Sequence, residues 1–451
     1  MSKLNANAKQ KMYQMSVYEQ ARRTLVTCML FEDNGFENGE SITDRLARYP
    51  SILSEEECRK LLAEAKENKL RHAPAFWANK MLKNGKLKSA DVETVVDRVD
   101  LMADLLSLYW NDKSNKHGLP KSLAKGLQKS FEKFDEYQFA KYKADGKKIK
   151  LKDVLKIVRP KPLTDAQSEL YKKILDGNLA TPDTWEVALS KCHTPAEKKT
   201  EWTRLLTEKT EKGYNKLGAL ALLRNLRNMK QAGVDENVIR TALSQMSMKK
   251  ILPFQIVAAA RYAPELEDIL EQKLIESAQN YGKLEGDTII LVDVSYSMYS
   301  CINGKSEINS VDAASAVAAI VREACQNTSV YAFDTHNMRI GTSYRGFSLI
   351  NEIVRKNGGC TAVIDCTNNA IDEYKRSHSG KYPARVITLT DEGENSSRGS
   401  KLQNLPKGCN GYMINVRNNM NSVTYGAHSG WISISGWSEA IVKYIAAYEA
   451  L

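Results

Sequence analysis

Two hydrophobic periods divide this chain. From about Tyr18 to Ala278 apolar residues recur three and four apart, as in Leu61, Leu62 and Ala65, in Val95, Val96, Leu101 and Leu105, and in Leu217, Leu220, Leu223, Leu226 and Met229. That spacing keeps one face of an α-helix apolar. Pro50, Pro74, Pro120, Pro160, Pro162, Pro182, Pro195 and Pro253 fall between such segments, where a residue without an N–H starts or stops a helix. The pattern predicts an array of short antiparallel helix pairs, comparable to a HEAT-like solenoid, without a strict repeat length.

From about residue 286 the pattern alternates between strands and helices. The run Ile289 to Val292 predicts a buried strand, with further strands at Ser329–Phe333, Met338–Ile340, Arg385–Asp391, Gly411–Val416 and Trp431–Ser435. Helices are expected at Ser310–Cys325, Leu349–Lys356, Asn368–Tyr374 and Ser438–Ala450. The fold class is therefore multidomain α plus α/β, with a helical domain over 1–285 and a doubly wound, mostly parallel α/β domain over 286–451.

Chemistry enters where the first strand ends. Asp293, Ser295 and Ser297 close the segment TIILVDVSYSM, and Asp-x-Ser-x-Ser after a buried strand points three hard oxygen donors into one loop. Such donors suit Mg²⁺ or Ca²⁺ rather than a soft metal. Ligands of parallel sheets bind at the carboxyl ends of the strands, and Asp391 ends another strand, so both acids are expected in one crevice. A hydroxyl from Gly358-Gly359-Cys360-Thr361 completes the set, leaving room for an outside ligand such as Glu, Asp or phosphate.

Enzyme motifs fail in this half. Gly304-Lys305-Ser306 has Tyr299 where a phosphate-binding loop needs its first glycine. The segment DVSYS lacks the second acid of an Asp-x-Asp nucleophile loop. The six histidines give no triad order, and no second set of carboxylates for a two-metal nuclease can be assembled.

Composition adds one decisive asymmetry. Of 451 residues, 65 are Lys or Arg and 54 are Asp or Glu, and the whole excess lies before residue 286. A basic half joined to a neutral half suggests that the first half meets a polyanion. The densest window, Lys121 to Lys161, holds thirteen basic residues against five acids. Lys121, Lys125, Lys129 and Lys133 would form one ridge on a helix that starts after Pro120, with Leu123, Leu127, Phe131 and Phe134 facing the core. Lys141, Lys143, Lys147, Lys148, Arg159 and Lys161, with other lysines, surround an expected turn at Asp145-Gly146. Such clusters bind phosphates by counterion release. The eight cysteines form no C-x-x-C pair, which fits reduced thiols. No membrane span or signal peptide is visible, so a cytoplasmic protein is expected. Trp185 and Trp202 read as packing anchors, and Cys192-His193 as a loop pair.

These residues carry a resemblance. Thr288 to Met298, with Thr361 and Asp391, resembles the metal-ion-dependent adhesion site of von Willebrand factor A domains. FAKYKADGKKIKLKDVLKIVRPKP, ALLRNLRNM and LPFQIVAAARY resemble the TROVE module of the Ro autoantigen family, and a TROVE module followed by an A domain is the Ro architecture. The likeness covers nearly the whole chain and suits a bacterial or phage-like member. It implies a HEAT-like helical ring closed by the A domain, and a non-enzymatic, RNA-binding monomer. It further implies small Y-like non-coding RNA on a basic outer surface, and single-stranded 3′ ends of structured or misfolded RNA in a basic central hole. The implied metal is Mg²⁺, with Ca²⁺ or Mn²⁺ as alternatives, on Asp293, Ser295, Ser297, Thr361 and Asp391, open to an acidic protein ligand. An exoribonuclease partner in RNA decay is also implied.

Two departures stand out. Lys141 matches a family RNA-contact lysine and Arg159 stands where relatives carry a contact histidine. The contact arginine, however, falls at Ala144 or Asp145, so Lys143, Lys147 or Lys148 would have to replace its charge. Relatives read Gly-Gly-Thr where this chain reads Gly-Gly-Cys-Thr, which leaves Thr361 or Cys360 for the threonine position, Thr361 being the better partner for a hard cation. The competing reading is a metal-dependent protein-interaction module whose helices are a scaffold with no RNA role.

Overall fold

The structure is a computed structural model. It describes all residues except 1–15, 28–38, 68–69, 71, 112–117, 143–145, 210–212, 214, 248–250, 252, 280–282, 301–307, 357, 395–399, 417–422, 424–429, 436–439 and 450–451. The described residues from Val17 to Gln279 form short helices, and those from Leu284 onward alternate strand and helix. No described helix is long and apolar enough to cross a membrane.

Sequence-local chemistry sets the helix ends. Pro120 precedes the Lys121–Ser130 helix, Pro195 opens Pro195–Thr207 and Pro253 opens Pro253–Tyr262. Each supplies a fixed φ where a missing N–H costs nothing. The hydroxyls of Thr164, Thr184 and Thr194 accept the N–H three residues on, satisfying donors that the first turn leaves open. Pro50 departs from expectation and lies inside the last turn of Gly39–Ile52. The periodic apolar residues are buried, Leu220 excepted, which is exposed.

Compactness divides the chain differently from secondary structure. One unit comprises Ser16–Leu30 and Ser41–Cys192, and its core is packed around Trp77, Phe131 and Phe139. Phe131 and Phe139 stack at 5.7 Å, and the Trp77 indole donates to the Cys58 carbonyl at 2.9 Å. The other unit is built on His193–Leu451 and so joins the later helices to the sheet.

In that second unit six strands take the order β3-β2-β1-β4-β5-β6. They are β1 Leu284–Asp293, β2 Cys325–Phe333, β3 Asn337–Arg339, β4 Arg385–Thr390, β5 Asn410–Asn415 and β6 Trp431–Ser435. All pairings are parallel except that of the edge strand β3 with β2. The chain leaves β1 for β2 on one side and later returns to β4 on the other, so the β1/β4 boundary is the switch point where a crevice opens. The register sets Asp293 opposite Phe333 and Val292 opposite Leu389, which brings Thr390 and Asp391 to the same end as Asp293. At the other end Arg385 is buried and ties three elements together. It pairs with Glu449 at 2.6 Å and donates to the Thr288 hydroxyl and the Glu285 carbonyl, both at 2.8 Å.

Two side chains explain why helices from the first period belong with the sheet. The Pro253–Tyr262 and Glu267–Gln279 helices pack on the Ser310–Ala324 helix. Arg261 grips the fully buried Asp312 with both terminal nitrogens, one at 2.8 Å. Asp312 also closes a capping box with Asn309, accepting its N–H at 3.0 Å. Glu271 accepts the Phe347 N–H at 2.8 Å, at the start of the Gly346–Val354 helix. Gly346 has φ +50°, and a Cβ there would strike the Glu271 side chain, so glycine is needed on two counts. Replacing Asp312 with Ala removes both the cap and the arginine's partner. The urea midpoint should fall by the equivalent of about 1–3 kcal/mol, and an unchanged midpoint would show that this contact carries no stability.

Candidate functional site

The crevice at the carboxyl ends of β1 and β4 gathers the predicted metal ligands on three loops. Asp293 is wholly buried; its Oδ1 accepts the Ser295 N–H at 2.8 Å and its Oδ2 accepts the Thr390 hydroxyl at 2.6 Å. The Ser295 and Ser297 hydroxyls lie 3.3 Å apart. Asp391, also wholly buried, accepts the Gly393 N–H at 3.0 Å. The third loop is drawn in by backbone bonds, Gly358 N–H to Val294 O and Tyr296 N–H to Gly359 O, both at 3.0 Å. Thr361 is buried there and Cys360 is exposed, so burial favours the hydroxyl over the thiol at the edge of the crevice.

Thr390 and Asp334, which sequence reading missed, hold this arrangement together with Glu394. Thr390 bridges the loops, donating to Asp293 while it accepts the Glu392 N–H at 2.9 Å. Asp334 follows β2, and its carboxylate accepts the Gly359 N–H at 3.3 Å while its carbonyl accepts that of Ala362 at 2.9 Å. A side chain on Gly358 would collide with Asp334, which explains that glycine. Glu394 accepts the Ile364 N–H at 3.0 Å, at the start of the Val363–Ser377 helix. An acid directly after the Ser329–Phe333 strand was the available signal for Asp334.

The electrostatics of the crevice follow from two carboxylates sharing a dry space. The Asp293 carboxyl is held above the usual carboxylate range, by burial first and by the Asp391 charge second, against hydrogen bonds from Ser295 and Thr390. A divalent cation fits this donor set, since it would offset both charges and accept hydroxyl oxygens. Among the described residues no group of three or more His, Cys, Asp or Glu side chains is placed to hold a metal. Any ion here would therefore rely on two carboxylates and neutral oxygens.

The basic window lies in the other compact unit, where the structure sorts its charges by role. Lys121, Lys125 and Lys129 lie exposed on the Lys121–Ser130 helix above buried Leu123 and Leu127, with Lys129 4.0 Å from Glu93. Lys133 does not continue the ridge. The helix tightens into a 3₁₀ turn at Phe131–Lys133, and the Lys133 ammonium donates to the carbonyls of Glu93 at 2.6 Å and Val96 at 2.5 Å. It thus caps the end of the Ser89–Val95 helix, and burial pushes its pKa down. Lys147 is likewise committed, 2.5 Å from Asp104 and 3.9 Å from Asp100.

Others remain on the surface. Lys148, Arg159 and Lys161 are exposed, Arg159 with φ 49° as the left-handed residue that closes the Leu151–Val158 helix. Lys143 lies outside the described residues, as do Ala144 and Asp145. Lys141 ends the Glu136–Lys141 helix with its ammonium 5.6 Å from the Tyr137 ring centre and 5.5 Å from that of Tyr142. Arg98 sits 5.1 Å from the Tyr142 ring and pairs with Asp100. This ring and cation cluster was not foreseen, although Tyr137 four residues before Lys141 on a helix was a visible cue.

With the geometry established, comparison with known proteins adds the fold. The chain is similar to the crystal structure of Deinococcus radiodurans RO (RSR) protein, with a TM-score of 0.64 and 14% identity, over 96% of this chain and 99% of that one. No protein-family model and no curated protein matches it. The fold class expected from the sequence, helices followed by an α/β part, is thus the fold of the chain.

Because its pKa is raised on folding, Asp293 binds a proton more tightly in the folded state. Its contribution to stability should therefore decline as pH rises from the unfolded carboxylate value of about 4 toward the raised folded value. In chelator-treated protein Asp293→Asn should remove that decline and raise the unfolding temperature at pH 8. It should also abolish any further rise on adding Mg²⁺. Equal Mg²⁺ responses of the two proteins in a thermal melt would exclude Asp293 as a ligand.

Proposed function

We propose that this chain is a non-enzymatic RNA-binding protein of the Ro family. The observation that carries the proposal is the nearly full-length fold likeness to the Deinococcus radiodurans Ro protein, in a chain whose basic excess lies entirely in its first part. The exposed set of Lys121, Lys125, Lys141, Lys148, Arg159 and Lys161 supports a phosphate-binding surface. Charged heads in solvent release counterions on contact with a polyanion. The rings of Tyr137 and Tyr142 beside Lys141 suit unpaired bases, which stack on aromatic faces, over the paired bases of a duplex.

The same proposal assigns small structured, Y-like RNA to this surface and single-stranded 3′ ends as a second class of ligand. It includes Mg²⁺ on Asp293, Ser295, Ser297, Thr361 and Asp391, and an exoribonuclease as a decay partner. The ion would supply an anchoring point for an acidic oxygen from outside. A metal-dependent protein-interaction module without RNA is the alternative, and the same binding assay separates the two.

Replacing Lys141, Lys148 and Arg159 together with Glu should weaken binding to a structured small RNA by tenfold or more. It should also flatten the slope of log affinity against log salt by about 2–3. Lys133→Ala and Lys147→Ala serve as controls, since those ammonium groups serve the fold, and they should lower stability more than affinity. Unchanged affinity and slope in the triple variant would refute the surface assignment.

A further inference from the structure

One peptide organises the mouth of the β1/β4 crevice. The Gly359 carbonyl accepts the Tyr296 N–H at 3.0 Å, and the Gly359 N–H donates to the Asp334 carboxylate at 3.3 Å. The loops of Tyr296, Gly359 and Asp334 are thereby fixed side by side above the buried acids. Glycine at 359 is demanded neither by strain nor by packing. Its φ lies outside the left-handed region and a Cβ there would meet no atom within 4 Å, whereas one on Gly358 would strike Asp334. What the missing side chain leaves is open space at the rim.

The side chains around that space face solvent. Tyr296 is 80% exposed, more than any other large apolar side chain among the described residues, although Ser295 before it and Met298 after it are buried. It opens the Tyr296–Tyr299 turn on a bonded backbone, so its ring is held at the rim. An aromatic ring kept in water forgoes the burial that such a side chain normally gains. His336 is 68% exposed on the neighbouring loop, with Nδ1 3.0 Å from the Asp334 carboxylate, which also accepts the His336 N–H at 3.1 Å. The Nε2 edge of that ring is left to solvent. A firmly mounted aromatic anchor beside a polar group is the composition of an interface hot spot.

Charge selects the class of partner. The rim residues Tyr296, Thr335, His336, Gly359 and Cys360 include no Lys or Arg, while Asp334 and Glu394 add two acids to Asp293 and Asp391. A divalent ion would offset two of these four charges, so a polyanion such as RNA would meet net negative charge here. A segment with one carboxylate among neutral or basic residues brings only the group that the ion takes. We propose that this rim docks a protein segment in which an acidic side chain stands beside an aromatic or large aliphatic one. The acid would go to the ion, its neighbour would lie on the Tyr296 ring over Gly359, and a polar group of the segment would bond His336. This rests on the assignment of a divalent ion to Asp293, Ser295, Ser297, Thr361 and Asp391. It adds what an ion alone lacks, a means of choosing one acidic partner over another.

A random peptide library displayed on phage, panned against the full chain in Mg²⁺ and eluted with a chelator, tests it. The selected sequences should carry Asp or Glu next to Trp, Tyr, Phe or Leu. A synthetic peptide of the consensus, followed by fluorescence anisotropy, should bind about tenfold more weakly when its large apolar residue becomes Ala, and equally so when Tyr296 becomes Ala. Gly359→Leu, for which the fold has room, should keep the circular dichroism and unfolding temperature of the parent and abolish peptide binding. Both variants should retain any rise in unfolding temperature on adding Mg²⁺, since neither removes a metal ligand. A parent that shows no such rise overturns the metal assignment and this proposal with it. A parent that shows the rise, yet yields no chelator-eluted peptide, yields peptides without an acid, or binds them as its variants do, overturns the docking proposal alone. Displacement of the peptide by an equal concentration of inorganic phosphate or of a short oligoribonucleotide would also overturn it, since the occupant would then be a phosphate.

Discussion

The parallel register of β1 between β2 and β4 is the constraint on which the crevice depends. Because Val292 stands opposite Leu389, the chain must turn out of the sheet at Asp293 and at Asp391 side by side, and both turns are buried. Two carboxylates in one dry space repel each other, and the fold meets this with donors: the Ser295 and Gly393 N–H groups and the Thr390 hydroxyl. Those bonds hold the oxygens in fixed directions while leaving like charge concentrated. Such a donor set would suit a cation, which would offset both charges.

A second principle runs through the basic residues: a lysine is available to a partner only if the fold has not already engaged it. Lys133 and Lys147 look like their neighbours in sequence, yet one satisfies helix-end carbonyls and the other is held by two aspartates. Surface ion pairs in this unit are worth little to stability, so the exposed lysines lose little by staying in water. On the proposed function, their value would lie in long-range attraction of a polyanion.

Much of this was legible in the chain. Strands β1 to β6 and the helices between them fall within a few residues of where periodicity placed them, because a buried strand and an Ala-rich helix differ in their apolar period. Asp293, Ser295, Ser297 and Asp391 were legible because each follows an apolar run that fixes its place at a strand end. Lys133 was misplaced because a four-residue spacing continues a helix on paper, whereas the chain tightens after Ser130. The role of Thr390 was invisible for a different reason, since it is set by Asp293, 97 residues away; Asp334 was visible as an acid at a strand end, but its partner Gly359, 25 residues on, was not. Nor did the period change near residue 285 reveal that the Pro253–Tyr262 helix packs with the sheet. The ion pair of Arg261 with Asp312 ties it to the Ser310–Ala324 helix across 51 residues.

RNA binding is the central claim, and the nucleic acid that accompanies the protein tests it most directly. The full chain should be purified at low salt from cells, and the material it carries should be extracted and sequenced. The account predicts small structured RNA that dissociates steeply as salt is raised. Protein that emerges free of nucleic acid at low salt, or carries only double-stranded DNA, would contradict it.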